Sequence, residues 1–372
     1  GRATLGPVLR EYLISEYMNS INIPTTRSLA AITTGEKVVR ERILPGAILV
    51  RIANSHVRVG TFQYFAARQM TREIKILADY IIERHFKLSL SSKNIYEKFL
   101  MEIIKSQANL ISKWMSAGFI HGVMNTDNTC LSGETIDYGP CAFLDNFDYN
   151  KVFSSIDYQG RYSYKNQPNI ILWNLTRFAE TILPLIDNNL NKSIKKAEEI
   201  LNEFASIYES NWISIMGYKL GIDEANKTDK NLIEEFLTLM QNQQLDFTNS
   251  FYSLSFLIEK DQIEKEGPPK SHKIYSKIKS SDWYAKWTKR LNINKKNLKK
   301  ILKTLLINNP SIIPRNHIVE KVLNDAIYEN KKDSLNDFLN ALNDPYKLRT
   351  FDDPYTKPPS PNEEVTQTFC GT

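Results

Sequence analysis

An α+β fold, with a short helix-and-sheet segment ahead of a long helical body, is what this 372-residue sequence predicts. Three observations carry the prediction. Leu5, Val8, Leu9, Leu13, Tyr17 and Ile21 recur at the spacing of one helix face, and Pro24 stops that run. The next thirty or so residues switch to β-branched stretches punctuated by turn formers. From Phe62 nearly to Leu342 the helical period returns, interrupted at residues 121–140 and by a coil from Cys141 to Pro168.

Taken in order, the elements begin with the helix over Leu5–Ile21. Arg27 to Ala53 reads as three strands. The first ends at Ile32-Thr33, a turn follows at Thr34-Gly35-Glu36, Lys37–Ile43 is the second, and Pro45-Gly46 turns into Ala47–Ile52. Helices dominate thereafter, and Trp173, Trp212 and Trp283 read as core residues within them. The final stretch, 344–372, carries Pro345, Pro354, Pro358, Pro359 and Pro361 with few large aliphatics, so it reads as an extended tail. Three regions result: 1–60, 61–343 and 344–372. Helix and sheet, then a polar loop, then helices is also the order of a protein-kinase fold joined at its αC-like helix.

Composition narrows the function classes. Lys and Arg exceed Asp and Glu by 48 to 42, and the surplus gathers in Lys289–Lys303 without interleaved aromatics. A solvated helix face fits that stretch better than a nucleic-acid footprint. The absence of a run of 18 apolar residues predicts no membrane-spanning helix. Cys130, Cys141 and Cys370 form no CxxC pair and no zinc spacing, which points to a reduced compartment. The chain opens Gly-Arg-Ala without Met, so an N-terminal segment ahead of residue 1 is expected.

The stretch from His121 to Pro140 is the richest in chemistry. Asp127 and Asn128 stand side by side, and Asp137 follows a segment that reads as a short hairpin, just ahead of Tyr138-Gly139. Turn preference alone explains the polarity of such residues. Two acids and an amide flanking the apolar Leu131 and Ile136 suggest more: a hard-cation site that takes oxygen from one or two protein groups and the rest from phosphates and water. In kinases an Asp of a DFG motif and an Asn bind Mg²⁺, while another Asp receives the hydroxyl proton. Asp137-Tyr138-Gly139 has the first pattern, and Asp127 with Asn128 compresses the other two. Asp127 is thus the candidate general base, with Asn128 and Asp137 the candidate ligands of Mg²⁺ or Mn²⁺. On the first helix, Glu11 suits the ion-pairing Glu of the kinase pattern, and Glu16 an ordinary exposed acid. Arg51 and Arg58 flank a bend at Asn54-Ser55-His56 and carry donor forks matched to phosphate, although pairing with surface acids is the simpler reading.

Several segments together resemble the selenoprotein O family of pseudokinase-like protein adenylyltransferases. They are GRA at Gly1–Ala3, LREYLISE at Leu9–Glu16, IPTTRSLA at Ile23–Ala30 and RIANSHVRVGTFQYFA at Arg51–Ala66. HGVMNTDN from His121, IDYGP from Ile136, DYQGRYSYKNQPNIILWNL at Asp157–Leu175 and the NP…RN pair at Asn309–Asn316 follow in family order. The resemblance implies a two-lobed kinase-like fold whose N-lobe is incomplete here, followed by a large helical C-lobe. It implies transfer of AMP from ATP, with Mg²⁺ or Mn²⁺, to Ser, Thr or Tyr hydroxyls of proteins. Arg51 and Arg58 then become contacts to the terminal phosphate of a flipped ATP, Gly1 a nucleotide-contacting glycine and Glu11 the partner of a Lys that precedes Gly1 in the family. Cys370 occupies the near-terminal redox position, but the activation-loop region has Phe153-Ser154-Ser155-Ile156 and no cysteine, which leaves Cys141 as its nearest substitute. A bacterial cytoplasmic or mitochondrial monomer is expected, without nucleic-acid or membrane partners. A γ-phosphoryl-transferring kinase and, if the chain starts at Gly1, a non-catalytic pseudokinase scaffold are the alternatives.

Overall fold

The computed structural model describes residues 2–258, 273–294, 296–329 and 331–369. It is a mixed α/β molecule with small antiparallel sheets and a preponderance of helix. The chain enters on β1 (Ala3–Thr4) and passes at once into α1 (Leu5–Ser20), whose Pro7 lies in the first turn, where a missing N–H costs nothing. Leu9, Leu13 and Tyr17 with Ile14 and Met18 form the buried stripe of α1. The helix stops where Asn22 takes a left-handed backbone (φ 58°) shortly before Pro24.

Two strands, and not three, follow: β2 (Arg27–Val39) and β3 (Ile43–Ile52). The sheet order is β1-β3-β2, antiparallel throughout, with Ile32 opposite Ile48 and Ala3 opposite Ala47. Thr34-Gly35-Glu36 is a bulge within β2. Pairing steps from Thr33–Ala47 to Lys37–Pro45, so β2 holds two more residues than its partner over that step. Gly35 takes a positive φ of 75°, and the Glu36 N–H donates to Thr34 Oγ1 at 3.2 Å, which lets the strand absorb the extra length. Pro45 sits in β3 beside the bulge, a place where a strand tolerates a residue without an N–H. Glu16, expected to be exposed, instead grips Arg27 through both carboxylate oxygens at 2.8 and 2.5 Å and pins α1 to β2.

The helical body begins with α2 (Val59–Ala66), α3 (Thr71–His85) and α4 (Ile95–Ala117). After a short ladder of β4 (Phe119–Ile120) with β5 (Ala142–Phe143) come α5 (Gln167–Ile186), α6 (Leu190–Leu201), α7 (Glu203–Lys219) and α8 (Lys230–Gln243). The series closes with α9 (Phe247–Ile258), α10 (Lys273–Lys279), α11 (Asp282–Leu291), α12 (Leu298–Asn308), α13 (Asn316–Tyr328) and α14 (Lys332–Leu342). Leu13, Tyr17, Phe99, Ile103, Phe178, Val319 and Phe338 belong to one core, and Trp212, Met216, Phe236, Phe247 and Trp287 to a second. Each such side chain contributes about 1.5–3 kcal/mol when fully buried. α4 ends at Gly118 in the left-handed region (φ 68°), where a Cβ would come within 2.8 Å of the Phe247 ring.

Trp212 and Trp283 are core residues as expected, but Trp173 is 39% exposed. It lies between the guanidinium groups of Arg161 and Arg177, 4.8 and 5.6 Å from its ring centroid, so cation–π contact takes the place of burial. Lys289, Lys296, Lys299, Lys300 and Lys303 are exposed on or beside α11 and α12, the solvated face that the sequence suggested. No helix among the described residues is long and apolar enough to cross a membrane.

One buried cation ties the end of the chain to the body. Arg315 is fully buried, and its Nη1 pairs with Asp145 and, at 2.7 Å, with Asp246 Oδ2. Its Nη2 donates to Asp246 Oδ1 at 3.2 Å and to the Thr356 carbonyl at 3.0 Å, which draws the C-terminal segment against α9 and α13. Removing one partner of such a network strands the remaining charges. Arg315→Ala is therefore expected to destabilise the fold by about 3–5 kcal/mol in chemical denaturation. A change below about 1 kcal/mol would mean that Asp145 and Asp246 are solvated without it.

Candidate active site

The loop between β4 and β5 leaves and returns at one ladder, where Phe119 faces Phe143 and Ile120 faces Ala142. Its two limbs do not pair with each other, so the hairpin expected between Asn128 and Asp137 is absent. Each limb pairs outward. Val59 N–H donates to Thr129 O at 3.0 Å and Leu131 N–H to Val57 O at 3.0 Å, while Thr135 exchanges bonds with Pro24 and Thr26 at 2.9 and 3.0 Å. Helix α4 adds Gln107 Nε2 to Cys130 O at 2.7 Å and Trp114 Nε1 to Thr135 Oγ1 at 2.9 Å. A buried loop must satisfy its backbone, and segments 24–26 and 57–59 offer free edges closer than the opposite limb.

This anchoring brings Asn128 and Asp137 together. Asn128 Nδ2 donates to Asp137 Oδ2 at 2.9 Å and to Val123 O at 3.0 Å, which occupies both amide N–H bonds and leaves Oδ1 as the outward oxygen. Asp137 has a left-handed backbone (φ 69°), a region that Asp and Asn tolerate better than most residues, and its Oδ1 accepts a long bond from Gly139 N at 3.4 Å. Both residues line a cleft of about 690 Å³, together with Glu11 from α1, Arg51 from β3 and Arg58 at the start of α2. The aliphatic walls are Val8, Val38, Ile48 and Leu49. A cleft of that size, apolar with a few convergent polar groups, suits a nucleotide-sized ligand.

Glu11 is the cleft's central acid. Its Oε2 pairs with Arg51 Nη2 at 2.6 Å, and its Oε1 accepts the Tyr138 N–H at 2.5 Å. Burial raises the Glu11 carboxyl above its ordinary range, the Arg51 charge opposes that rise, and the Asp137 carboxylate adds to it. Arg58 lines the cleft at the start of α2, and its Nε is buried without a hydrogen-bond partner among the described residues.

Asp127 stands beside this group and outside the cleft lining. It is exposed on a single 3₁₀ turn, Thr126–Asn128, held by its own N–H to Asn125 Oδ1 at 2.9 Å. Its carboxylate lies so close to Gly60 in the first turn of α2 that a Cβ there would be 2.0 Å from Oδ1. Glycine is thus needed at position 60 for this approach. Gly1 and Cys370 lie outside the described residues.

Cys141, the substitute considered for redox pairing, is completely buried. It donates to Tyr138 O at 3.1 Å, and burial pushes its thiol up to about 12, as it does for Cys130. Both are inert thiols at neutral pH.

Three supporting residues escaped the sequence reading. Arg10 is buried beneath the loop and donates to Gly139 O at 3.0 Å, Cys141 O at 2.6 Å and Asn316 Oδ1 at 3.1 Å. Its position inside the apolar stripe of α1 was the available signal. Glu134 holds Asn54 through its N–H (3.0 Å) and its Nδ2 (2.9 Å), a contact across the chain that no local pattern reveals. His121 packs against Trp114, with ring centroids 5.3 Å apart and the planes tilted by 34°. Its Nε2 lies 2.9 Å from Ile136 O and its Nδ1 accepts from Val123 N at 3.4 Å, the pattern of a neutral ring with the proton on Nε2.

The acid–amide pair, the two arginines and the buried Glu11 of α1 thus share one cleft. Comparison with known proteins identifies the family. Residues 1–343 match the family model described as protein adenylyltransferase SelO. The protein nucleotidyltransferase YdiU of Clostridium botulinum (strain 657 / Type Ba4) is 48% identical over all of this chain and 74% of its own length. The proteins of the same name from Bacillus cereus (strain ATCC 14579) and Clostridium perfringens (strain ATCC 13124) are 47% and 48% identical over the same shares. The chain belongs to the SelO family, whose members are enzymes that transfer a nucleotidyl group to protein.

His121 gives the site a pH signature. Burial lowers its imidazole below the ordinary value, against the pull of the Asp137 charge. The folded state therefore resists protonation, and the stability from neutral His121 is complete above about pH 6.5 and lost as pH falls through the lower folded value. Denaturation measured between pH 7 and 5 should show His121→Gln with the shallower loss, by up to about 1.4 kcal/mol per pH unit. Parallel curves for the two proteins would mean that His121 is not buried neutral.

Proposed function

We propose that this chain transfers AMP from ATP to a hydroxyl side chain of a protein, with the nucleotide in the 690 Å³ cleft. The observation that carries this reading is the Asn128–Asp137 pair at 2.9 Å, opening on the same cleft as Arg51 and Arg58. The wider arrangement we propose is kinase-like. Residues 1–60 form the part of an N-lobe that carries the αC-like helix α1, 61–343 the helical C-lobe and 344–372 a tail laid over it.

Asn128 Oδ1 and the Asp137 carboxylate fit Mg²⁺ or Mn²⁺, because such cations take few protein oxygens and complete their shell with phosphate and water. The cation would offset phosphate charge as pyrophosphate leaves. Arg51 and Arg58 supply guanidinium donors for the distal phosphates, since both line the cleft. Glu11 holds Arg51 in place at 2.6 Å and fixes the Tyr138 backbone next to Asp137.

Asp127 acts on the acceptor. Its exposure outside the cleft lining puts a carboxylate where a protein hydroxyl can arrive from solvent. The hydroxyl oxygen attacks the α-phosphorus, its proton passes to Asp127, the bond from the α-phosphorus to the bridging oxygen breaks, and pyrophosphate departs toward the arginines. Ser, Thr and Tyr all offer that hydroxyl.

Protein purified from its own reading frame can be given ATP labelled on the α- or the γ-phosphate. Protein-bound label is expected from the α position alone. Asp127→Ala should lower the rate by about 10²–10⁴-fold with ATP affinity retained. Label from the γ position would make the chain a conventional kinase and remove the distal-clamp role of Arg51 and Arg58.

A further inference from the structure

A second cavity, of about 220 Å³, lies at the far end of α1 from Glu11. It is bounded by Tyr17, Ile21 and Asn22 of α1 and its following turn, by Lys113 of α4, by Lys219 at the end of α7, by Phe247 of α9, and by Asn308 and Tyr346. Lys219 is only 6% exposed. Its Nζ lies 4.6 and 6.0 Å from the ring centroids of Phe251 and Phe247 and has a single acceptor among the described residues, the Asn308 carbonyl at 3.4 Å. An ammonium group has three donors, so this one is underused.

The contrast with the other deeply buried cations is sharp. Arg10 reaches Glu320 and three further acceptors, and Arg315 has Asp145 and Asp246. Lys219 has no carboxylate within ion-pair distance among the described residues, and no Asp or Glu is among the residues that line the cavity. The second lysine, Lys113, spends one donor on Asn22 O at 2.8 Å. Lys219 is thus a deeply buried amine whose charged form lacks an anionic partner among the described residues, and a bound anion would supply one.

We infer that this cavity is a binding site for a small oxyanion, held between Lys219 on its floor and Lys113 at its rim. The shared chemistry is a compact group with two or more negative oxygens, met by inorganic phosphate and by a small carboxylate. At less than a third of the volume of the main cleft, the cavity has room for such an ion and none for a nucleotide. Burial lowers the empty Lys219 to about 7, so the ammonium needed to hold the anion is only part-populated at neutral pH, and anion binding takes up a proton. The other groups facing Lys219 do not interfere. Tyr17 and Tyr346 are held above their ordinary values by burial, Tyr218 and Lys113 stand at the rim, α9 brings Phe247, Thr248 and Phe251, and α12 brings Ile307 and Asn308, none of which titrates.

The test is a ¹³C NMR titration of the whole chain carrying lysine labelled at Cε, with the Lys219 signal assigned by its loss in Lys219→Met. Without added anion the Lys219 midpoint should fall near 7. Inorganic phosphate, acetate and chloride are then added in parallel at matched ionic strength. A rise of about one pH unit or more with phosphate or acetate, and not with chloride, supports the site, and the more effective ion identifies its source. The rise should shrink in Lys113→Met, which leaves Lys219 in place. A midpoint that neither phosphate nor acetate moves, or that chloride moves equally, overturns the inference. Phosphate bound in the main cleft cannot mimic the result, because the signal reports Lys219 alone.

Discussion

The carboxylate of Glu11 is the contact on which the cleft depends. It is nearly enclosed, yet one oxygen meets Arg51 on the sheet and the other meets the backbone N–H of Tyr138 in the β4–β5 loop. Three segments far apart in sequence are thereby fixed to one side chain. Burial raises its pKa and the Asp137 carboxylate adds to the rise, while the Arg51 guanidinium and the Tyr138 N–H favour the ionised form. The same arrangement constrains Arg51. A guanidinium that already holds Glu11 offers its remaining donors in a fixed direction, which is what an anionic ligand in the cleft requires.

Around that contact the fold surrounds polar groups with apolar mass. α4 contributes a buried stripe and also the Gln107 and Trp114 donors that hold the loop. Arg10 lies under the loop and takes the carbonyls of Gly139 and Cys141, so the segment after Asp137 cannot move without breaking charge-assisted bonds. Rigid support of this kind matters because phosphoryl and nucleotidyl transfer rest mainly on positioning and electrostatics.

Much of this was legible in the residues. The stripe Leu9, Leu13 and Tyr17 announced α1, and the helical period beyond Phe62 announced the body, because both patterns are local and repeat at 3.6 residues. The types of Asn128 and Asp137 singled the pair out before their 2.9 Å hydrogen bond was visible. What failed was non-local. Thr34-Gly35-Glu36 has turn chemistry, yet the partner strand carries the chain straight through it as a bulge. The loop limbs look like a hairpin, yet Val57, Val59 and Thr26 compete for their bonds and win. Trp173 looked like core because of its size, and two arginines that flank it keep it at the surface. The pairing of Glu11 with Arg51 joins two residues that the sequence had given separate tasks.

The central claim, that Asn128 and Asp137 bind nucleotide through a divalent cation, is tested most directly by calorimetric titration of ATP with and without Mg²⁺. Asp137→Asn is the informative variant, since Asn keeps the left-handed backbone at φ 69° and removes only the charge. The account predicts that Asp137→Asn weakens ATP binding at least about tenfold when Mg²⁺ is present and leaves Mg²⁺-free binding nearly unchanged. Equal affinities for the two proteins in Mg²⁺, or an equal loss with and without it, would contradict the assignment of this pair as the metal site.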